Sequence, residues 1–104
     1  MRATKESILS YLKDLKTELH GSGIQSIALF GSFAKGTQNV YSDIDIAISK
    51  QQDFLSHKSS YEYFETISKI KNSLKQKFHR NIDVLDLDSQ TPFKQTITKE
   101  LIYV

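Results

Sequence analysis

The 104-residue chain has no cysteine, a single proline and no long apolar run. Lack of cysteine excludes disulfides, thiolate metal sites and a cysteine nucleophile, so any metal must be held by oxygen or by histidine nitrogen. No apolar stretch approaches the roughly 20 residues that a membrane helix needs. The start, Met1-Arg2-Ala3-Thr4-Lys5-Glu6, leads into an amphipathic pattern rather than the apolar block of a signal peptide, and a cytoplasmic location is the expectation. A hydrophobic share of 38% and a charged share of 25% belong to a globular chain rather than a disordered or fibrous one. The length fits one compact domain, residues 1–104, able to bury a core without staples. The formal charge of +2 is small and the lysines form no dense run. This argues only weakly for nucleic acid; an anionic small molecule or an acidic protein face is equally compatible.

Ile8, Leu12, Leu15 and Leu19 recur at three- and four-residue spacings and predict a helix from Thr4 to His20, closed by Gly21-Ser22-Gly23. Ile24 to Phe30 is an apolar run that suits a strand buried on both faces, ending at Gly31. A single helical turn over Phe33 to Gly36 and a polar loop from Thr37 to Ser42 follow. A second strand starts at Asp43. Its alternation, Asp43-Ile44-Asp45-Ile46-Ala47-Ile48, puts both aspartates on one face and the three isoleucines on the other. Tyr61, Phe64, Ile67, Ile70, Leu74 and Phe78 predict a second long helix over 59–78, with lysines on much of its solvent side. A third strand, Asn81 to Leu87, alternates around Asp83. After Pro92 a last short helix is expected over Phe93 to Tyr103, with Leu101 to Val104 equally able to finish as a strand. The order describes a small α/β domain built on one sheet.

Each element of the central constellation has a chemical use. A glycine at the end of a buried strand lets the backbone turn sharply and approach a ligand, and the following N–H groups with the Ser32 hydroxyl can donate to phosphate oxygens. Two carboxylates at i and i+2 on a strand, Asp43 and Asp45, project from one side, close enough to share hard cations that prefer oxygen ligands. A two-metal site calls for a third carboxylate from a neighbouring strand on the same face, for which Asp83 is the choice. By alternation Asp86 falls on the opposite face, and Asp88 lies past the strand. Bland readings stand beside these. Asp-Ile-Asp alone is often the polar face of a half-exposed strand, Gly31 can be a turn glycine, and Ser32 can be the N-cap of the short helix. Lys35 is as readily a solvated lysine as a phosphate contact, and Ser42 either orients Asp43 or caps the loop. His20, His57 and His79 share no ligand spacing. Tyr11, Tyr61 and Tyr63 read as core or rim.

The run Leu29-Phe30-Gly31-Ser32-Phe33-Ala34-Lys35-Gly36, followed after ten residues from Ser32 by Asp43-Ile44-Asp45, resembles the signature of the nucleotidyltransferase superfamily related to DNA polymerase beta. Ile82-Asp83-Val84-Leu85 reproduces the setting of that family's third acid. The stretch from Thr91 to Tyr103 looks like the ending of its minimal subfamily, with Leu101 where a glycine recurs and Lys35 where arginine is frequent. The lysine keeps the charge but loses arginine's bidentate fork.

The resemblance implies a polymerase-beta-like α/β (α+β) fold, a small mixed sheet with helices packed on it. It implies two Mg²⁺ ions on Asp43, Asp45 and Asp83, and ATP phosphates at Gly31, Ser32 and Lys35. The implied reaction transfers a nucleoside monophosphate to a hydroxyl with release of pyrophosphate. Larger members carry acceptor-gripping domains for which these 104 residues leave no room, so a partner is expected. In the minimal subfamily that partner is commonly a HEPN-type ribonuclease toxin, adenylylated on a tyrosine, with this chain as antitoxin in a hetero-oligomer; direct nucleic-acid binding is not expected. The rival readings are a subunit modifying a small molecule such as an aminoglycoside, and a module that neutralises a toxin by contact alone.

Overall fold

The computed structural model describes residues 2–19, 21–50, 60–88 and 99–104. Helix α1 (Lys5–Glu18) begins where the Thr4 side chain accepts from the backbone N–H of Ser7 while the Ser7 hydroxyl accepts from the Thr4 N–H. This reciprocal cap satisfies two of the N–H groups that a helix start leaves orphaned. Ile8, Leu12, Leu15 and Leu19 are all buried, as their spacing requires. Strand β1 (Ile24–Phe30) runs into the short helix α2 (Gly31–Lys35), and strand β2 (Ile44–Lys50) follows. Helix α3 (Ser60–Phe78) leads into β3 (Ile82–Asp86), and β4 (Ile102–Tyr103) ends the described chain. The strand alternative for Leu101 to Val104 is therefore the one adopted. The helix expected from Phe93 falls largely outside the described residues.

The strands form one mixed sheet in the order β3-β2-β1-β4. β1 is antiparallel to β2 and β4, and β2 is parallel to β3. A parallel pair needs a crossover connection, and α3 supplies it between β2 and β3. Helices cover one sheet face. Ile27 and Leu29 of β1, Ile44, Ile46 and Ile48 of β2 and Ile82 of β3 pack there with the apolar stripes of α1 and α3. Fully burying each such isoleucine contributes about 1.5–3 kcal/mol. That apolar set fixes the register, since a slip of one residue would send every isoleucine to the other face.

The inward stripe of α3 is Tyr63, Ile70, Leu74 and Phe78, with Ile67 beside it. Tyr61 and Phe64 point outward, 72% and 62% exposed, contrary to the sequence reading. Both series share Ile67 and the same three- to four-residue steps, so spacing alone could not separate them. Tyr63 donates to Asp86 at 2.6 Å, and Lys50 also meets that carboxylate at 2.6 Å. Asp86 is thereby on the helix side of the sheet, away from Asp83, as alternation required. Burial, together with the negative charge of Asp86, pushes the Tyr63 hydroxyl far up. The Lys50 and Tyr63 hydrogen bonds, outweighing burial's upward push, hold Asp86 below the ordinary carboxylate value.

Thr4→Ala should cost about 1 kcal/mol, since it removes the α1 cap and nothing from the core. A urea midpoint lowered at unchanged slope is the expected result.

Candidate active site

Asp45, the second residue of β2, lies between two neighbours in register: Asp83 on β3 and Phe30 on β1. Parallel partners in register project to the same side, so Asp45 and Asp83 share the sheet face opposite the helices. Asp43, two residues earlier, joins them by strand alternation. It stands just ahead of β2, which starts one residue later than the sequence reading set it. Asp43 and Asp83 are exposed, and Asp45 is partly buried.

Gly31 follows Phe30 and so arrives beside Asp45. Its φ of +75° lies in the left-handed region that side chains avoid. A Cβ placed on Gly31 would collide with Oδ2 of Asp45 and lie 3.0 Å from its Cγ. Glycine is needed here twice over, for the turn and for the close approach to a carboxylate. The helix α2 starts at Gly31 itself, with Phe30 at the N-cap and no side chain capping its first turn. Ser32 is therefore inside the helix rather than its cap, and the first-turn N–H groups stand at the strand end that carries the acids. Phe33 is fully buried and anchors this turn to the core.

Burial first, then the negative charges of Asp83 and Asp43, push the Asp45 carboxyl up to about 6. Three like charges without a counterion repel one another. Among the described residues no three acidic, histidine or cysteine side chains are drawn together tightly enough to hold an ion. The donor set still fits a hard divalent cation, because all three groups are carboxylates on one face and a cation would neutralise the like charge that adds to burial in raising Asp45.

The loop leading to Asp43 is pinned by Ser42, as one sequence expectation had it, and by Arg80 and Asn81, which the sequence did not single out. Arg80 donates to the Asn39 carbonyl at 3.1 Å and the Ser42 carbonyl at 2.8 Å, and its guanidinium lies 5.0 Å from the Phe33 ring centre. The Ile44 N–H bonds the Asn81 carbonyl at 3.0 Å. Ser42 accepts from the Asn39 N–H at 2.9 Å, which makes it a cap of the loop. Lys35 pairs with Glu100 at 2.8 Å and is half exposed, so in this state its ammonium is held toward the C-terminal segment. The Asn39–Ser42 bond is local, but nothing local in the sequence marks the Arg80, Asn81 and Lys35 pairings, which join segments distant along the chain.

Two substitutions read out this geometry. Gly31→Ala should cost several kcal/mol, and in an Asp45→Gly background only the φ penalty of about 1–2 kcal/mol should remain, measured by denaturant titration. Asp45→Asn should stabilise the protein in EDTA. A carboxyl raised by folding costs nothing below its unfolded value of 3.8 and its full penalty above about 6. The gain should therefore be about 1–2 kcal/mol at pH 8, after allowance for solvent screening, and should vanish by pH 4. Melting curves across that range test the sign.

A family model described as polymerase beta, nucleotidyltransferase matches residues 7–104. A relative from Methanocaldococcus jannaschii named "Putative protein adenylyltransferase" is 35% identical over 102 residues, spanning 96% of this chain and 93% of its own. The solved "Structure of putative minimal nucleotidyltransferase" is similar in fold, with a TM-score of 0.70 at 16% identity over 96% of this chain and 95% of that one. A crystal structure of a toxin-antitoxin with AMP-PNP gives a TM-score of 0.51 at 28% identity, covering 76% of this chain and 59% of that chain. With a family model running from the first helix to the last strand, and a relative matched over nearly its whole length, this chain belongs to the polymerase beta nucleotidyltransferase family.

Proposed function

We propose that this chain transfers AMP from ATP to a hydroxyl of a partner protein, most directly a tyrosine of a HEPN-type toxin, and acts as its antitoxin. The observation that carries the proposal is the register of Asp45 with Asp83 beneath the Gly31 turn, with Asp43 two residues before. It gives a hard-oxygen face and a helix start side by side, the two features a metal-bound triphosphate needs. The adenylyltransferase name of the archaeal relative and the toxin-antitoxin neighbour with AMP-PNP support the choice of substrate and partner.

In this reading the acceptor oxygen forms a bond to the α-phosphorus as the bond from that phosphorus to the pyrophosphate oxygen breaks, and the hydroxyl proton leaves to solvent. Asp43 and Asp45 would hold two Mg²⁺ ions, and Asp83 one of them. When bound, the ions neutralise the triphosphate and departing pyrophosphate and lower the pKa of the acceptor hydroxyl. The N–H groups at the start of α2 and the Ser32 hydroxyl orient the phosphates. Gly31 keeps the Asp45 carboxylate clear of any side chain, and Arg80 holds the loop that carries Asp43. Lys35 would have to leave Glu100 to reach a phosphate, a cost of about 1 kcal/mol for a pair whose lysine is half exposed and whose glutamate is partly buried.

The test combines the chain, Mg²⁺, α-labelled ATP and a cognate helical HEPN protein. Label should appear on that protein's tyrosine, and Asp43→Asn and Asp45→Asn should each lower the rate by at least about a thousandfold. In cells the same variants at equal expression should fail to suppress toxicity. Suppression by a transfer-dead variant would instead establish neutralisation by contact.

A further inference from the structure

The acid face and the α2 turn account for nucleotide and metal, and a different surface beside Asp43 has the make-up of an acceptor site. A cleft of about 490 Å³ opens between the turn at 39–42 and the end of α3, lined by Val40, Tyr41, Asp43, Lys75, His79 and Arg80 among others. A second hollow of about 470 Å³ extends it along α3 and shares Lys75 and His79.

Three features set this cleft apart from ordinary surface. Val40 and Tyr41 are 79% and 89% exposed at its lip, although Tyr41 is held on a fixed turn: its N–H bonds Asn39 Oδ1 at 2.8 Å while Arg80 grips the carbonyls on either side. An aromatic displayed on a pre-organised turn loses little freedom on binding and is a favoured anchor at protein interfaces. Lys75 and Arg80 give the wall two positive charges, and among the described residues neither pairs with a carboxylate. His79 takes a φ of +55° just past α3, where glycine would carry no penalty, so the chain keeps a strained side chain on this wall.

We propose that this cleft is the docking groove for an acidic segment of the protein acceptor, seated between Tyr41 and the Lys75–Arg80 wall so that its hydroxyl arrives at Asp43. This rests on the protein-adenylylation reading above. Lys75 and Arg80, neither in an ion pair among the described residues and outnumbering Asp43 on this lining, select for acidic flanks, and the exposed Val40 beside Tyr41 favours a peptide over a polynucleotide, for which an aliphatic side chain offers neither charge nor stacking.

The experiment is an NMR titration of the ¹⁵N-labelled chain, without nucleotide, using two tyrosine peptides of equal length, one flanked by glutamates and one by lysines, and a single-stranded oligoribonucleotide. The glutamate peptide should shift the amides of Val40, Tyr41, Lys75 and His79 and bind at least about tenfold more tightly than the lysine peptide. The double variant Tyr41→Ala, Lys75→Glu should lose that binding while its other amide positions stay in place. His79→Gly should raise the melting temperature by about 5 °C, because the strain is relieved, yet weaken the peptide. Equal binding of the two peptides, shifts centred elsewhere, or preference for the oligoribonucleotide would overturn the proposal. Because the readout is binding alone, a silent transfer assay with an intact peptide response would discard the chemistry and keep the groove, and the converse pair of results would do the reverse.

Discussion

Holding Asp45 partly buried beside Asp43 and Asp83, at a cost set by burial first and by charge repulsion second, is the constraint on which the rest of the site depends. A chain relieved of that repulsion would be more stable without ligands and would have nothing with which to attract a cation. The repulsion is tolerated because the same strands that display the acids on one face bury Ile44, Ile46, Ile48 and Ile82 on the other. Sliding β2 against β3 would separate Asp45 from Asp83, but it would also break the apolar register, which is worth far more than the electrostatic cost. The core therefore holds an unfavourable charge arrangement in place until a counter-charge arrives.

The rest of the site follows from short links to that face. Phe30 pairs across the sheet with Asp45, and the next residue must turn without a side chain, which brings the start of α2 alongside the acids. Phe33 locks α2 into the core, and Arg80, lying against that ring, holds the loop before Asp43. One arginine thus ties both halves of the site to the junction of α3 and β3. Rigid strands carry two of the acids and a pinned loop the third, an arrangement suited to positioning rather than to closure.

Much of this was legible in the sequence wherever a pattern repeats locally. The alternation Asp-Ile-Asp-Ile-Ala-Ile, the heptad-like spacing of Ile8, Leu12, Leu15 and Leu19, and the run ending at Gly31 each reflect a periodicity that one element imposes by itself. The interactions that were not legible are those closed by tertiary contact. Arg80 binds carbonyls of the loop at 39–42, Lys35 meets Glu100, and β4 adds to β1, and no spacing rule connects such distant segments. Tyr61 and Phe64 show a different limit, for two helical phases passed through Ile67 and only packing against the sheet chose between them.

The most direct test of the central claim is where a paramagnetic cation lands. With Mn²⁺ and AMP-PNP added to the ¹⁵N-labelled chain, relaxation enhancement should be strongest at the amides of Asp43, Asp45 and Asp83 and extend to Gly31 and Ser32. Enhancement centred on Asp86 and Asp88 at the other end of the sheet, or spread evenly over the surface acids, would contradict the account.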